Sequence, residues 1–221
     1  MQRRAFIAIP LAAAGGPLYQ LLARESVPME PVNGKLRVPL RFFTEFEAGV
    51  VAAACERILP ADSNGPGASD AGVVVYIDRQ LAGPYGRDHY RYARPPFAPG
   101  PLPQHGYQGR ENPRQIYRTG IRSLGRFAEL TAKEQDRKLV AIEQTRFFRL
   151  LRIHTIEGMF ADPMHGGNAS LAGWKLIGYP GPRMDYRNEI DRHFGVAWRP
   201  EPASLQQIIG RAVVPWEDVK E

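Results

Sequence analysis

The chain has 221 residues, 43% of them hydrophobic, which is enough for one globular domain after removal of a leader. Its single cysteine, Cys55, excludes a disulfide framework within the chain. The formal charge of +6 comes from 24 Arg and 5 Lys against 23 acidic residues. The acidic residues are interleaved with the arginines, and no aromatic-basic signature of nucleic-acid binding appears. Arginine is enriched at protein interfaces, so the charge favours a protein partner.

The first 23 residues match the pattern of a twin-arginine export signal. Arg3, Arg4 and Phe6 form the paired-arginine start, and no charged residue occurs from Ala5 to Ala23. This combination is typical of secretory leaders, and paired arginines are recognised by the pathway that exports folded proteins. An uncleaved membrane anchor is the alternative, but it needs about 20 apolar residues, and this stretch is interrupted by Pro10, Gly15, Gly16, Pro17 and Gln20. The sequence therefore predicts export to the periplasm.

A proline-rich linker or arm is predicted for residues 24–40, before the first helix. Thr44 and Glu47 have the spacing of a capping box, in which each side chain binds the backbone N–H of the other residue. The predicted helix runs to about Ile58, where a following proline stops it. Cys55 shares the apolar face of this helix, so we expect it to be a packed core residue.

A second helix and a long arm are predicted next. Asp70 is a candidate N-cap for the helix, whose apolar side carries Val73, Ile77 and Leu81. The following segment, 83–112, is rich in proline, glycine and tyrosine. Loops of this length are uncommon in compact domains unless they bind something or are disordered, and the aromatic residues argue against simple disorder. We expect an arm that packs on its own core or on a partner.

A third helix should begin at Asn112 and Pro113, since proline is favoured at the first helical position. Four arginines recur along it at every fourth residue: Arg114, Arg118, Arg122 and Arg126. They form either a solvated basic face or a stripe that faces a partner. Thr131 and Glu134 make a second capping box, which should start a fourth helix that ends near Gln144.

The segment from Arg146 to Phe160 is apolar on nearly every side, which is typical of a helix at the centre of a core. No run of alternating apolar and polar residues predicts a strand anywhere in the chain. The predicted fold class is therefore mainly α. We expect a single helical domain over residues 41–221 that carries the long proline-rich arm.

A cluster of polar residues near the end of this segment offers three interpretations. His154 and Glu157 are three residues apart, so they are neighbours on one helix. With His165 and Asp162 they could bind zinc or iron. A hydrolytic site at Ser170 is the second interpretation, although the chain lacks a Gly-x-Ser-x-Gly elbow. The third, which the residues favour, is a hydrogen-bonded polar pair and a shaped loop that belong to an interface.

The run from Phe147 to Gly181 resembles the gluconate 2-dehydrogenase subunit 3 family. The residues that carry the resemblance, which we predict to be structural or partner-interface residues, are His154, Glu157, Asp162, Pro163, Gly166, Gly167, Asn168, Trp174, Gly178, Pro180 and Gly181. Thr155, Gly158, Phe160 and Ile177 match as well, and the earlier residues 58–62, 67–68 and 73–78 are similar to the start of the family's helix–loop–helix. The tail from Ile190 to Glu221 does not match the pattern.

The resemblance implies a helical small subunit of a membrane-associated, FAD-dependent sugar or sugar-acid dehydrogenase. In such complexes the FAD belongs to a large flavoprotein subunit and the haem to a multihaem cytochrome c subunit. The small subunit carries the twin-arginine signal, and the flavoprotein is exported with it as a passenger. The complex is associated with the periplasmic face of the inner membrane.

Three motifs that would indicate a cofactor are missing from the sequence. It has no Gly-x-Gly-x-x-Gly motif for a dinucleotide, no Cys-x-x-Cys-His motif for haem and no cysteine set for an iron–sulfur cluster. We therefore expect no catalytic, cofactor-binding or metal-binding residue in this chain. The expected function is that of a non-catalytic subunit that stabilises and escorts the flavoprotein. The alternatives are a stand-alone exported metalloenzyme that uses His154, Glu157 and His165, and an assembly chaperone that leaves before the complex matures.

Overall fold

A computed structural model describes residues 39–91, 95–97, 102–183, 186–187, 189–190 and 192–212. The predicted signal at 1–23 and most of the predicted linker at 24–40 lie outside these ranges. Within them the chain forms seven α-helices and no β-strand, which confirms the predicted mainly α class. In chain order the helices are α1 (Glu45–Ile58), α2 (Val73–Ala82), α3 (Pro113–Leu124), α4 (Ala132–Ala141), α5 (Arg146–Phe160), α6 (Ala172–Ile177) and α7 (Leu205–Ala212). No helix among the described residues is both long and apolar enough to cross a membrane.

The first helix begins and ends where the sequence predicts. The backbone N–H of Glu47 donates to Thr44 Oγ1 at 3.3 Å, and the backbone N–H of Thr44 donates to Glu47 Oε2 at 2.9 Å. The capping box of Thr131 and Glu134 at the start of α4 is confirmed in the same way. Cys55 is completely buried, and burial raises the pKa of its thiol to about 12. It is therefore the core residue that the helical pattern predicted.

The start of α2 differs from the prediction. Its N-cap is Gly72, which has the left-handed φ of 64°, whereas Asp70 accepts a hydrogen bond from the backbone N–H of Gly67 inside the preceding turn. Glycine adopts a positive φ without the steric penalty that a side chain imposes. The helix therefore starts three residues after Asp70, and the prediction of an Asp70 cap is wrong.

Helix α5 lies at the centre of the fold but is not buried on every side. It packs most extensively on α2 and also contacts α1, α3 and α6. Leu151 and Met159 are fully buried, whereas the side chains of Ile153 and Ile156 are 43% and 44% exposed. The helix is central to the core, as its apolar sequence predicts, but within the described residues no element covers the side that carries these two isoleucines.

The four arginines on α3 and in the turn after it do not all behave alike. They form neither a single solvated face nor a single stripe that could face a partner. Arg114 donates to the carbonyl oxygens of Leu81 and Ala82 at 2.6 and 2.7 Å, where the last turn of α2 lacks intrahelical donors. Arg118 forms an ion pair with Glu47 and donates to the Phe42 carbonyl oxygen. These two arginines connect elements within the chain. The other two, Arg122 and Arg126, are exposed and contact only local partners.

The described parts of the proline-rich arm pack partly on the core. Arg91 donates to the carbonyl oxygens of Tyr107 and Gly109, which joins the two ends of the arm. The guanidinium of Arg146 on α5 lies 4.6 Å from the centre of the Tyr107 ring. By contrast, the Tyr90 side chain is 80% exposed. The arm thus contacts its own domain at both ends.

A buried carboxylate holds the segment that leads into α1. Asp78 is completely buried in α2, and its two oxygens accept hydrogen bonds from the backbone N–H groups of Arg41, Phe42 and Phe43 at 2.8–2.9 Å. A carboxylate with several N–H donors offsets much of its desolvation cost. This contact fixes the direction in which the chain enters the capping box at Thr44.

Replacing Asp78 with Ala should lower the free energy of unfolding by about 3 kcal/mol, because three backbone donors lose their acceptor. Urea denaturation followed by circular dichroism measures the change. Asp136→Ala is the control, since it removes an exposed ion pair with Arg57 and should leave stability nearly unchanged. Equal effects of the two variants would contradict the role assigned to Asp78.

Candidate functional site

The imidazole of His154 is held between two tyrosine hydroxyls. His154 lies on α5 and is only 3% exposed. Its Nδ1 atom is 2.8 Å from the hydroxyl of Tyr117 on α3, and its Nε2 atom is 2.9 Å from the hydroxyl of Tyr85 in the arm. The rings of His154 and Tyr117 are stacked with an angle of 11° between their planes. The group therefore joins α3, α5 and the arm.

The hydrogen bonds assign the proton on the ring. Tyr117 is fully buried, and within the described residues its hydroxyl has no hydrogen-bond partner besides His154. A buried hydroxyl proton without an acceptor costs about 1–3 kcal/mol, so Tyr117 donates to Nδ1. The neutral ring then carries its proton on Nε2 and donates it to the oxygen of Tyr85. Burial and the positive charge of Arg146 lower the pKa of His154 to about 4, which keeps the ring neutral at pH 7.

The predicted hydrogen-bonded pair of His154 and Glu157 does not form. Glu157 is exposed, and its Oε2 atom accepts a hydrogen bond from the Tyr76 hydroxyl at 3.0 Å. Burial and the charge of Glu157 raise the pKa of Tyr76. The two residues lie on adjacent stripes of α5, so His154 enters the core while Glu157 stays at its edge. The prediction of a buried pair is therefore wrong.

The residues proposed as metal ligands do not come together. Both ring nitrogens of His154 are bound to tyrosine hydroxyls. The two carboxylate oxygens of Asp162 accept from the backbone N–H groups of Met164 and Leu205, and His165 lies on an exposed 3-10 turn. In the part of the chain that the structure describes, no group of three or more His, Cys, Asp or Glu side chains could hold a metal ion. The geometry thus does not support the metalloenzyme alternative.

The loop after α5 lies directly against that helix. The backbone N–H of Asn168 donates to the Gly158 carbonyl oxygen at 2.8 Å. A Cβ atom at Gly167 would collide with the same carbonyl oxygen, so only glycine fits there. The Asn168 side chain is completely buried; it donates to the Ala161 carbonyl oxygen and accepts from the backbone N–H of Gly173. These contacts fix the path of the chain from α5 to α6.

Trp174 holds the next helix in place. Its indole N–H donates to the carbonyl oxygen of Phe160 at 2.7 Å, and its ring is buried against Tyr179. A Cβ atom at Gly173 would collide with the Met159 carbonyl oxygen, so the backbone of α6 approaches α5 as closely as it can. Gly178 ends α6 at a left-handed φ of 68°.

The last matching residues hold part of the tail. Gly181 has a φ of 94°, and a Cβ atom there would collide with the carbonyl oxygen of Ala203. The backbone N–H of Ala203 in turn donates to the Pro180 carbonyl oxygen at 3.2 Å. The bond from the Leu205 N–H to Asp162 completes the contact at the start of α7. Pro163 occupies the first position of the 3-10 turn Pro163–His165, and Gly166 ends this turn at a φ of 102°.

Sequence reasoning missed the partners of His154 and the role of Asp78. Tyr117 lies on the apolar face of α3, and a buried tyrosine usually has a hydrogen-bond partner. The position of Tyr117 therefore indicated that a hydrogen-bond acceptor is buried next to its hydroxyl. No such signal connected Tyr85 to His154, because the two residues are 69 positions apart.

The described residues thus form a helical domain in which the polar side chains of the distinctive block bind mainly to backbone groups and tyrosines of the same chain. A family model described as gluconate 2-dehydrogenase subunit 3 matches residues 45–181, which is more than half of the chain. The chain belongs to the gluconate 2-dehydrogenase subunit 3 family, and the resemblance found in the sequence is confirmed. No curated protein and no solved structure is significantly similar to it.

Two glycine substitutions distinguish the cost of a steric collision from the cost of a left-handed backbone conformation. Gly167→Ala should lower the free energy of unfolding by at least about 2 kcal/mol, because the new methyl group meets a carbonyl oxygen. Gly178→Ala is the matched control: its methyl group meets open space, so only the left-handed φ costs about 1 kcal/mol. Urea denaturation measures both variants, and a larger loss at Gly178 would contradict the close approach.

The pKa of His154 predicts a loss of stability on mild acidification. Its value in the folded protein, about 4, is below the ordinary value of 6.5. The unfolded chain therefore binds more protons between these two values, and stability falls as the pH falls through this window. Between pH 7 and pH 5 the free energy of unfolding should decrease by about 2 kcal/mol through this group.

His154→Gln should be less stable at pH 7 but should lose this part of the pH dependence. Urea denaturation of both proteins at pH 7 and pH 5 provides the comparison. An equally steep decrease in the variant would show that another group is responsible.

Proposed function

We propose that this chain is the non-catalytic small subunit of an exported, FAD-dependent sugar or sugar-acid dehydrogenase complex. The observation that carries the proposal is the family match over residues 45–181, since the family is described as one subunit of a gluconate dehydrogenase. The FAD would belong to a large flavoprotein subunit and the haem to a cytochrome c subunit. Electrons would then pass between these partners without entering the small subunit.

The contacts of the matching residues support a structural role. His154 is bound by two tyrosines, Asp162 by two backbone N–H groups, and Asn168 by backbone groups on both sides of its amide. Side chains that are fully engaged within the fold are suited to shaping a surface rather than to reacting with a substrate. The predicted interface role of these residues stays a prediction, and they would act by holding the outer face of the domain in one conformation.

Exposed apolar side chains support a protein partner. Ile153 and Ile156 on α5, Ile177 at the end of α6 and Phe46 on α1 are each more than two-fifths exposed. Protein interfaces combine exposed apolar side chains with Arg and Tyr. We infer that part of this surface is covered by the flavoprotein subunit in the assembled complex.

The leader fits the same proposal. A twin-arginine signal is used for proteins that fold before export, and the cofactor that requires prior folding would be in the partner. Arg3, Arg4 and Phe6 would then direct two subunits to the periplasm. There the complex would associate with the inner membrane through its other components.

Replacing Arg3 and Arg4 with Lys should retain both subunits in the cytoplasm when the chain is expressed with its flavoprotein partner, because the export receptor requires the arginine pair. Immunoblotting of periplasmic and cytoplasmic fractions measures the effect. Lys133 and Lys138 replaced with Arg serve as a control that leaves the leader intact. Export of the flavoprotein with the Lys–Lys leader would contradict the shared signal.

The subunit assignment has a separate test. An affinity tag at the C-terminus of the exported chain should recover a flavoprotein in equimolar amount, seen by its FAD absorbance and by gel densitometry. Recovery of the chain without a flavoprotein would overturn the proposal. A flavoprotein complex that matures without this chain would instead identify a transient assembly chaperone.

A further inference from the structure

A cavity of about 300 Å³ opens beside His154 at the surface of the domain. Helix α2 contributes Tyr76 and Gln80, the arm contributes Tyr85, and α5 contributes Leu150, Ile153 and Glu157. We call it the Glu157 cavity. Its walls combine apolar side chains with tyrosine hydroxyls, an amide and one carboxylate, which is a suitable lining for a long side chain with a polar end.

The charge of the Glu157 cavity is negative. Within the described residues Glu157 has no basic partner, and its Oε2 atom accepts a hydrogen bond from the Tyr76 hydroxyl. His154, which also lines the cavity, adds no positive charge at pH 7, because burial and Arg146 keep its imidazole neutral. The carboxylate is therefore the one formal charge among the lining residues.

The nearest basic residue on the same stripe of α5 belongs to a different cavity. Arg146 lies beyond Tyr85 in a cavity of about 250 Å³, and its guanidinium is stacked on Tyr107. Asp88, Arg91 and Glu111 line that cavity too, and Asp88 forms an ion pair with Arg91. Burial and the charge of Arg146 lower the pKa of the His154 imidazole, but the Arg146 side chain does not line the Glu157 cavity.

The rim of the Glu157 cavity is apolar. Ile153 lines the cavity and Ile156 lies one turn of α5 away from it, and both are more than two-fifths exposed. A polar anchor that is surrounded by apolar contacts is the arrangement of an interface hot spot, since the surrounding contacts exclude water from the central pair. An ion pair here would form in a partly desolvated site and would be stronger than one on an open surface.

We propose that the Glu157 cavity receives a basic side chain, an Arg or a Lys, of the large flavoprotein subunit. The inference rests on the proposed function and adds the place and chemistry of the contact. The guanidinium or ammonium group pairs with Glu157, and its remaining N–H groups donate to Gln80 and to tyrosine oxygens. The aliphatic stem lies against Leu150 and Ile153, while Ile156 packs on the surrounding surface of the partner.

The test measures binding between the purified full-length chain and the purified flavoprotein subunit by isothermal titration calorimetry. Glu157→Gln keeps the size of the side chain and removes its charge, so the dissociation constant should increase about tenfold at low salt. Glu157→Asp should recover part of this loss. Glu143→Gln is the matched control, because Glu143 is an exposed carboxylate in the turn after α4 that lines neither cavity.

Salt distinguishes an ion pair from an apolar contact. Raising the salt concentration from about 0.05 to 0.5 M should weaken binding of the wild type more than binding of Glu157→Gln, because the pair is screened. Ile153→Asp should weaken binding at both salt concentrations. We expect the melting temperature of every variant to lie within a few degrees of the wild-type value, because the changed positions are exposed. Such a result shows that the effects on binding arise in the interface.

Three results would overturn the inference. Equal dissociation constants and equal salt dependence for wild type and Glu157→Gln would show that the flavoprotein docks elsewhere, with the proposed function intact. If the isolated chain self-associates and only Glu157→Gln abolishes this association, the cavity binds a second copy of the chain instead. Failure of the wild-type chain to bind any flavoprotein would overturn the proposed function itself, and the inference with it.

Discussion

The fold depends on how closely three segments approach one another at Gly158. A Cβ atom at this position would lie 3.0 Å from Val73 Cγ1 and 3.2 Å from the Tyr76 Cβ atom, so the side chains of α2 pack directly against the backbone of α5. The Gly158 carbonyl oxygen accepts from the N–H of Asn168, and Gly167 lies against the same oxygen. The contact between Gly158 and residues 167–168 is made by backbone atoms, so Gly167 tolerates no side chain. The positions of α6, the 3-10 turns and the tail follow from it.

Buried polar groups determine how the other elements are arranged around this contact. Asp78 binds the backbone ahead of α1, His154 joins α3 to the arm, and Asn168 closes the loop after α5. Each of these side chains is fully paired, and a buried polar group that lost its partner would cost more than an apolar mismatch. Pairing of this kind selects one register among helices whose apolar faces could pack in several ways.

The distinctive block of the sequence thus mainly determines the path of the chain after α5. Glycines 167, 173 and 181 lie where backbones meet, and Trp174 holds the end of α5. His154 and Asp162 are already bound within the fold. The outer side of α5, with its two isoleucines and the exposed Glu157, is open to a partner. The proposed accessory function needs a rigid surface of this kind.

The sequence by itself determined the helices whose signals are local. The capping boxes of Thr44 and Thr131, and the Asn112 cap before Pro113, involve residues three positions apart, so no distant contact could override them. It also determined the family, because a fixed spacing of glycine, asparagine and tryptophan is recognisable without knowledge of what the residues contact.

Only the tertiary structure decided which side of α5 is buried and what His154 binds. The partners of His154 are 37 and 69 positions away, so no local pattern could identify them. The same holds for Glu157, which the sequence pairs with its helical neighbour but the fold pairs with Tyr76. Asp70 does not cap α2, because the turn before this helix ends at Gly72, which is the N-cap instead. Capping hydrogen bonds join residues that are a few positions apart in the chain. The burial of a helix face, by contrast, depends on which distant element packs against it.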